Sequence, residues 1–140
     1  MTACREEQQQ SLRLIETAVY RGPHLYSRRP MIRLQVDLGV LEAWPSNLIP
    51  EFNPRLLGLL PGLEGHGCSY GSPGGLRRRL GDGTWLGHVA EHVALELQSL
   101  AGRPVGFGRA RETDDEGIYK VAIEFAEERL ALAALDMAFE

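Results

Sequence analysis

Two histidines four residues apart, with a glutamate between them, set the chemistry open to this sequence. His88, Glu91 and His92 occur in the order His-x-x-Glu-His, the inverse of the better-known zinc-protease order. On a helix, residues i and i+4 project from adjacent turns of one face, so the two imidazoles can converge on one cation. Glu91, three residues from His88, lies beside them. A metal lowers the pKa of a bound water, and a neighbouring carboxylate can take its proton. Solvated and core helix faces also carry such patterns by chance, so a third ligand is required.

Glu96 lies four residues past His92 but eight past His88, roughly 12 Å along a helix axis at 1.5 Å per residue. That is too far for a metal held between the histidines. Glu96 can instead orient His92, bind a substrate cation, or pair with an arginine. A better ligand lies in Glu64-Gly-His66-Gly-Cys68-Ser-Tyr-Gly-Ser-Pro-Gly-Gly, whose glycines and proline preclude regular structure and allow close approach to a helix. Cys68 as thiolate would complete a Cys/His/His set with an open fourth position, suited to Zn2+. Peptide deformylases divide their ligands similarly, an analogy of chemistry only. The plain alternative for Cys68 is a small buried thiol. His66 is a candidate donor to Cys68, an aid to an oxyanion, or a turn residue. A purely structural zinc site is disfavoured, because such sites usually take four protein ligands.

These residues need a helix and a loop to hold them. Thr84 as N-cap, Gly102 as the glycine past the C-terminus and no intervening proline predict one central helix over about 85–101. Leu86, Val89, Ala90, Val93, Leu97 and Leu100 give it an apolar face. Met31 to Leu38 alternates as a half-buried strand does, and so does Ile118 to Phe125. The segment from Ser11 to Tyr20 fits either a strand or a short helix. A short helix carrying Phe52 to Leu60, a helical turn over Gly75 to Leu80 and a final helix from Glu127 to Phe139 complete the reading. Pro104 to Thr113 leads into the last strand through the acidic turn 114–117. The fold class is α+β, a single small domain over 11–140 with a small sheet covered by helices, preceded by a disordered tail at 1–10.

At 140 residues, 44% hydrophobic and 24% charged, the chain fits one globular domain. A net charge of −4 argues neither for nucleic acid nor for an acidic membrane surface. Cys4 and Cys68 make no disulfide framework, and no leader or membrane span is visible, so the cytoplasm is the default.

Several ordered motifs carry a resemblance: Arg21-Gly-Pro, Pro45-Ser-Asn-Leu-Ile-Pro50, His66-Gly-Cys68-Ser69, the run Gly83 to Gln98, and Gly106-Phe-Gly-Arg-Ala-Arg-Glu-Thr113. Together they resemble the N-terminal domain of cyanophycin synthetases, over roughly Tyr20 to Phe125. Enzymes of that family polymerise aspartate and arginine with an ATP-grasp module and a Mur-ligase-like module, neither of which this chain contains. The resemblance implies a domain that binds cyanophycin, a polymer of β-Asp-Arg units. In members that keep the metal motif it implies a zinc hydrolase that cuts the polymer internally and so supplies primers. Cys68, His88 and His92 fall on the family's metal positions and Glu91 on its base. Arg109 and Arg111 are candidates for substrate carboxylates or the oxyanion, and Glu64, Glu96 and Glu112 for substrate arginines, each with a surface ion pair as its plain alternative. The other function class is a non-catalytic module that holds the polymer near the synthetase sites. Oligomeric state stays open.

Overall fold

In a computed structural model, residues 13–22 and 29–139 are described. The tail expected at 1–10, which includes Cys4, lies outside them. Four strands, β1 (Arg13–Tyr20), β2 (Met31–Asp37), β3 (Gly108–Glu112) and β4 (Ile118–Glu124), form one antiparallel sheet in the order β1-β2-β4-β3. Among the described residues four α-helices accompany it: α1 (Phe52–Leu59), α2 (Gly75–Asp82), α3 (Leu86–Leu100) and α4 (Glu128–Ala138). The architecture is α+β, as the sequence predicts.

The two central strands form because their alternation fits a sheet with one face on a core. Ile32, Leu34 and Val36 of β2 point inward opposite Ile123, Val121 and Tyr119 of β4. These three cross-strand apolar pairs fix the register, since a one-residue slip would turn all of them outward. The ambiguous segment before Tyr20 is strand β1, an edge strand with an irregularity between Leu14 and Glu16. Strand β3 is the opposite edge and was hidden within the connection expected at Pro104 to Thr113. Among the described residues no helix is long and apolar enough to cross a membrane.

Helix α3 is the central element and lies one residue inside each expected end. Its C-terminus closes as a Schellman motif: Gly102 has φ +88, its N–H donates to Ser99 O at 3.1 Å, and the Arg103 N–H donates to Gln98 O at 3.0 Å. The N-terminus departs from expectation. Trp85 occupies the cap position with no side-chain cap bond, and the Thr84 hydroxyl turns to His88 instead. The apolar stripe departs too. Leu100 is exposed, whereas Ala94 and Leu95 are buried together with Glu91, His92 and Glu96.

The reason is that α3 lies between two apolar clusters. On one side are the sheet, Ala94, Leu95 and the α4 residues Ala131 and Leu135. On the other, Val89 and Val93 pack with Leu63, Leu76 and Leu80. The final helix is capped by Glu127, whose carboxylate accepts from the backbone N–H groups of Arg129 and Leu130, so this residue stands just outside the helix it was expected to begin.

Candidate metal centre

The helix brings His88 and His92 together as spacing requires, with their Nε2 atoms 3.1 Å apart. Cys68 arrives from the loop before α2, its Sγ 3.2 Å from His88 Nε2. The ligand atoms of Cys68, His88 and His92 all lie within 4.8 Å of one another. Cys68 holds this position with φ +51, a left-handed backbone that costs a residue with a side chain of the order of 1 kcal/mol. Two N–H groups pin the loop to α2: Gly74 donates to Glu64 O at 2.8 Å and Leu76 to His66 O at 3.0 Å. Gly75 is required there, because a Cβ would collide with the Gly67 carbonyl.

Each helix histidine has its other ring nitrogen occupied. His88 Nδ1 is 2.8 Å from the Thr84 hydroxyl. Thr84 is itself fixed by buried Ser46, whose Oγ accepts the Thr84 N–H and donates to Leu80 O. His92 Nδ1 is 2.9 Å from His66 Nδ1, and His66 Nε2 is 2.8 Å from Glu96 Oε2. His66 therefore faces His92, rather than acting as the donor to Cys68 considered from sequence.

Burial holds both helix histidines neutral. It pushes His92 down to about 3, aided by His88 and His66, and lowers His88, aided by Arg79. Where the Nδ1 atom of each neutral ring is the donor in its contact, two Nε2 lone pairs face each other. Such an arrangement is repulsive unless a proton or a cation lies between them. A tetrahedral metal with nitrogen at about 2.0–2.1 Å and sulfur at about 2.3 Å separates its ligands by roughly 3.3–3.6 Å; the two contacts to His88 Nε2, at 3.1 and 3.2 Å, lie near that range, and the third pair lies within 4.8 Å. Two imidazole nitrogens and one thiolate sulfur are a donor set that suits zinc.

Glu91 lies beside this set, with Oε2 3.9 Å from His88 Nε2. It is 4% exposed, and burial pushes its carboxyl up to about 8. A cation in the adjoining donor set would draw that value down by direct attraction.

These groups share a cleft of about 1440 Å³. Trp85 and Phe107 line it, and Trp85 also packs on the core. The walls are cationic: Arg109 and Arg111 lie on β3, where their register partners on β4 are Ala122 and Lys120. Arg33, Arg79 and Lys120 join them and were not singled out from sequence, because a surface arginine or lysine carries no local signal. Glu112 reaches the cleft and accepts a hydrogen bond from the Tyr119 hydroxyl at 3.3 Å. Glu64 is exposed and paired with Arg77 at 3.2 Å, away from the cleft lining. Glu96 is buried behind His66.

The family model for the cyanophycin synthase-like N-terminal domain matches residues 33–140. The chain is similar to the cyanophycin synthetase of Trichormus variabilis, 50% identical over 119 residues, and to that of Geminocystis herdmanii, 46% identical over 119 residues. The synthetase of a Synechocystis species is 45% identical over 120 residues. Each match covers 84% of this chain but only 13% to 14% of the relative.

Proposed function

The chain belongs to the cyanophycin synthase-like N-terminal domain family, and from that premise we propose that it binds cyanophycin and cleaves it internally as a zinc-dependent hydrolase. Short chains released this way would prime polymerisation by the ATP-grasp and Mur-ligase-like modules of a parent synthetase. The observation that carries the reading is the convergence of Cys68, His88 and His92 beside the buried Glu91 carboxylate in one cationic cleft.

A zinc ion held by these three side chains would supply Lewis acidity toward a water and toward the scissile carbonyl. Glu91 takes a proton from the attacking water and returns it to the amide nitrogen as the C–N bond breaks, which balances the hydrolysis. The Thr84 hydroxyl holds the His88 ring by its Nδ1. Arg109 and Arg111 fork onto carboxylates of the polymer. Glu112, which lines the same cleft beside Arg111 on β3, is suited to its arginine side chains.

The test is digestion of purified cyanophycin by the zinc-loaded domain and by Glu91→Gln, with products sized by mass spectrometry. Soluble oligomers from the wild type and none from the variant are expected. Polymer binding by both with no product from either would instead favour a holding module, a role to which the cationic cleft lining is also suited.

A further inference from the structure

Glu96, His66 and His92 form an unbroken line of contacts from α3 to the loop and back. Glu96 Oε2 lies 2.8 Å from His66 Nε2, and His66 Nδ1 lies 2.9 Å from His92 Nδ1. A carboxylate can only accept, so the proton in the first contact belongs to His66 Nε2. When that is the only proton on the ring, His66 Nδ1 is bare and accepts. His92 then has to donate from Nδ1, and its Nε2 is left with a free lone pair directed at His88 and Cys68.

We propose that Glu96 and His66 are positioning residues that fix the tautomer of His92 in its ligand form, and that Gly62 provides the seat for the Glu96 carboxylate. Gly62 enters because a Cβ at that position would collide with Glu96 Oε1. Its backbone is not in the left-handed region, so alanine is tolerated by the chain itself and acts only through the carboxylate. The relay explains why an acidic side chain too distant to reach the metal is buried on the ligand face of the helix. It also gives His92 a different kind of support from His88, which leans on the neutral hydroxyl of Thr84. Loss of an outer hydrogen-bond partner that fixes the orientation and tautomer of a ligating imidazole typically weakens metal binding about 10- to 100-fold.

This inference rests on the metal-site reading, and the experiment separates the two. Long-range proton–nitrogen correlation spectra of the chelator-treated, nitrogen-15-labelled chain report the tautomer of each imidazole without any metal. The wild type is expected to show His92 protonated at Nδ1. Glu96→Ala and Gly62→Ala are each expected to lose that preference. Glu96→Gln, whose amide oxygen still accepts from His66 Nε2, is expected to keep it. Zinc dissociation constants from competition with a chromophoric chelator should rise about 10- to 100-fold in the two alanine variants and stay near wild type in Glu96→Gln. His92 protonated at Nε2 in the wild type, or an unchanged tautomer in Gly62→Ala and Glu96→Ala, would overturn the relay. Failure of the wild type to take up zinc would overturn the metal reading, while the spectra still decide the tautomer relay. Gly62→Ala and Glu96→Gln cover the case in which Glu96→Ala does not fold.

Discussion

Glu91 occupies the space that a side chain at position 108 would need: a Cβ on Gly108 would stand 2.6 Å from Glu91 Oε1 and 3.1 Å from the Ala122 carbonyl. The glycine that opens β3 is thus the floor on which the carboxylate rests. Gly108→Ala should push Glu91 out of line with the metal ligands. Misplacement on the scale of 1 Å costs about 100-fold in rate. On the proposed function, cleavage of cyanophycin should fall by that order, while zinc affinity, assigned there to Cys68, His88 and His92, should hold. Equal loss of both would mean that the whole site had moved.

Zinc should stabilise the domain. A ligand present at about 1,000 times its dissociation constant adds about 4 kcal/mol, which for a domain of this size raises Tm by roughly 10 to 15 °C. Thermal melts with zinc and with chelator should differ by this amount in the wild type. The difference should collapse in His88→Ala. A wild-type melt indifferent to zinc would remove the metal from the mechanism.

Arg109→Ala and Arg111→Ala test the cleft wall. A charge-assisted hydrogen bond contributes about 1.5–3 kcal/mol, so each variant should raise KM for soluble polymer fragments about tenfold or more. The defect should shrink as salt is added to the wild type, because screening weakens the same attraction. An unchanged KM in both variants would place substrate carboxylates elsewhere.

The contact between Arg21 and Glu128 joins the end of β1 to the first turn of α4 through two hydrogen bonds of 2.7 and 2.8 Å. The bond to Arg21 holds the Glu128 carboxyl below its usual value. A depressed carboxyl stabilises the fold above its unfolded pKa, near 4.5, and that contribution disappears as pH falls through the folded value. Arg21→Ala should therefore lower Tm slightly at pH 7 and leave it unchanged near pH 2. An equal deficit at both pH values would show that the arginine acts through packing alone.

The central helix was legible because its signals are local: no proline from Trp85 to Ala101, a glycine past its end, and histidines at the one spacing that brings two imidazoles together. Cys68 could be nominated because few residue types bind zinc. Strand β3 could not be read, since Gly108-Arg-Ala-Arg-Glu112 has almost no apolar alternation and is a strand only because β4 offers it an edge. The first strand stayed ambiguous for a related reason: β1 is mostly exposed, so burial imposed no period on it. Thr84 looked like a cap and serves a histidine, a choice made by Ser46 from 38 residues away. The partnership of His66 with Glu96 spans 30 residues; only the folded loop discloses it.

The candidate centre lies on the seam between the two apolar clusters flanking α3. Cys68 and His66 belong to the loop layer built on Leu63, Leu76 and Leu80, while Glu91 rests against the sheet at Gly108. The two layers share α3, and Ala138 of α4 packs on both; in the language of cooperative unfolding, a local opening confined to the loop layer would leave the sheet layer closed. Such an opening carries away the thiol and the imidazole behind His92 but leaves His88, His92 and Glu91 in place. A cation bridging Cys68 to the helix would act as a cross-link between the layers, and its exchange with solvent would follow the breathing of the loop layer rather than the lifetime of the fold.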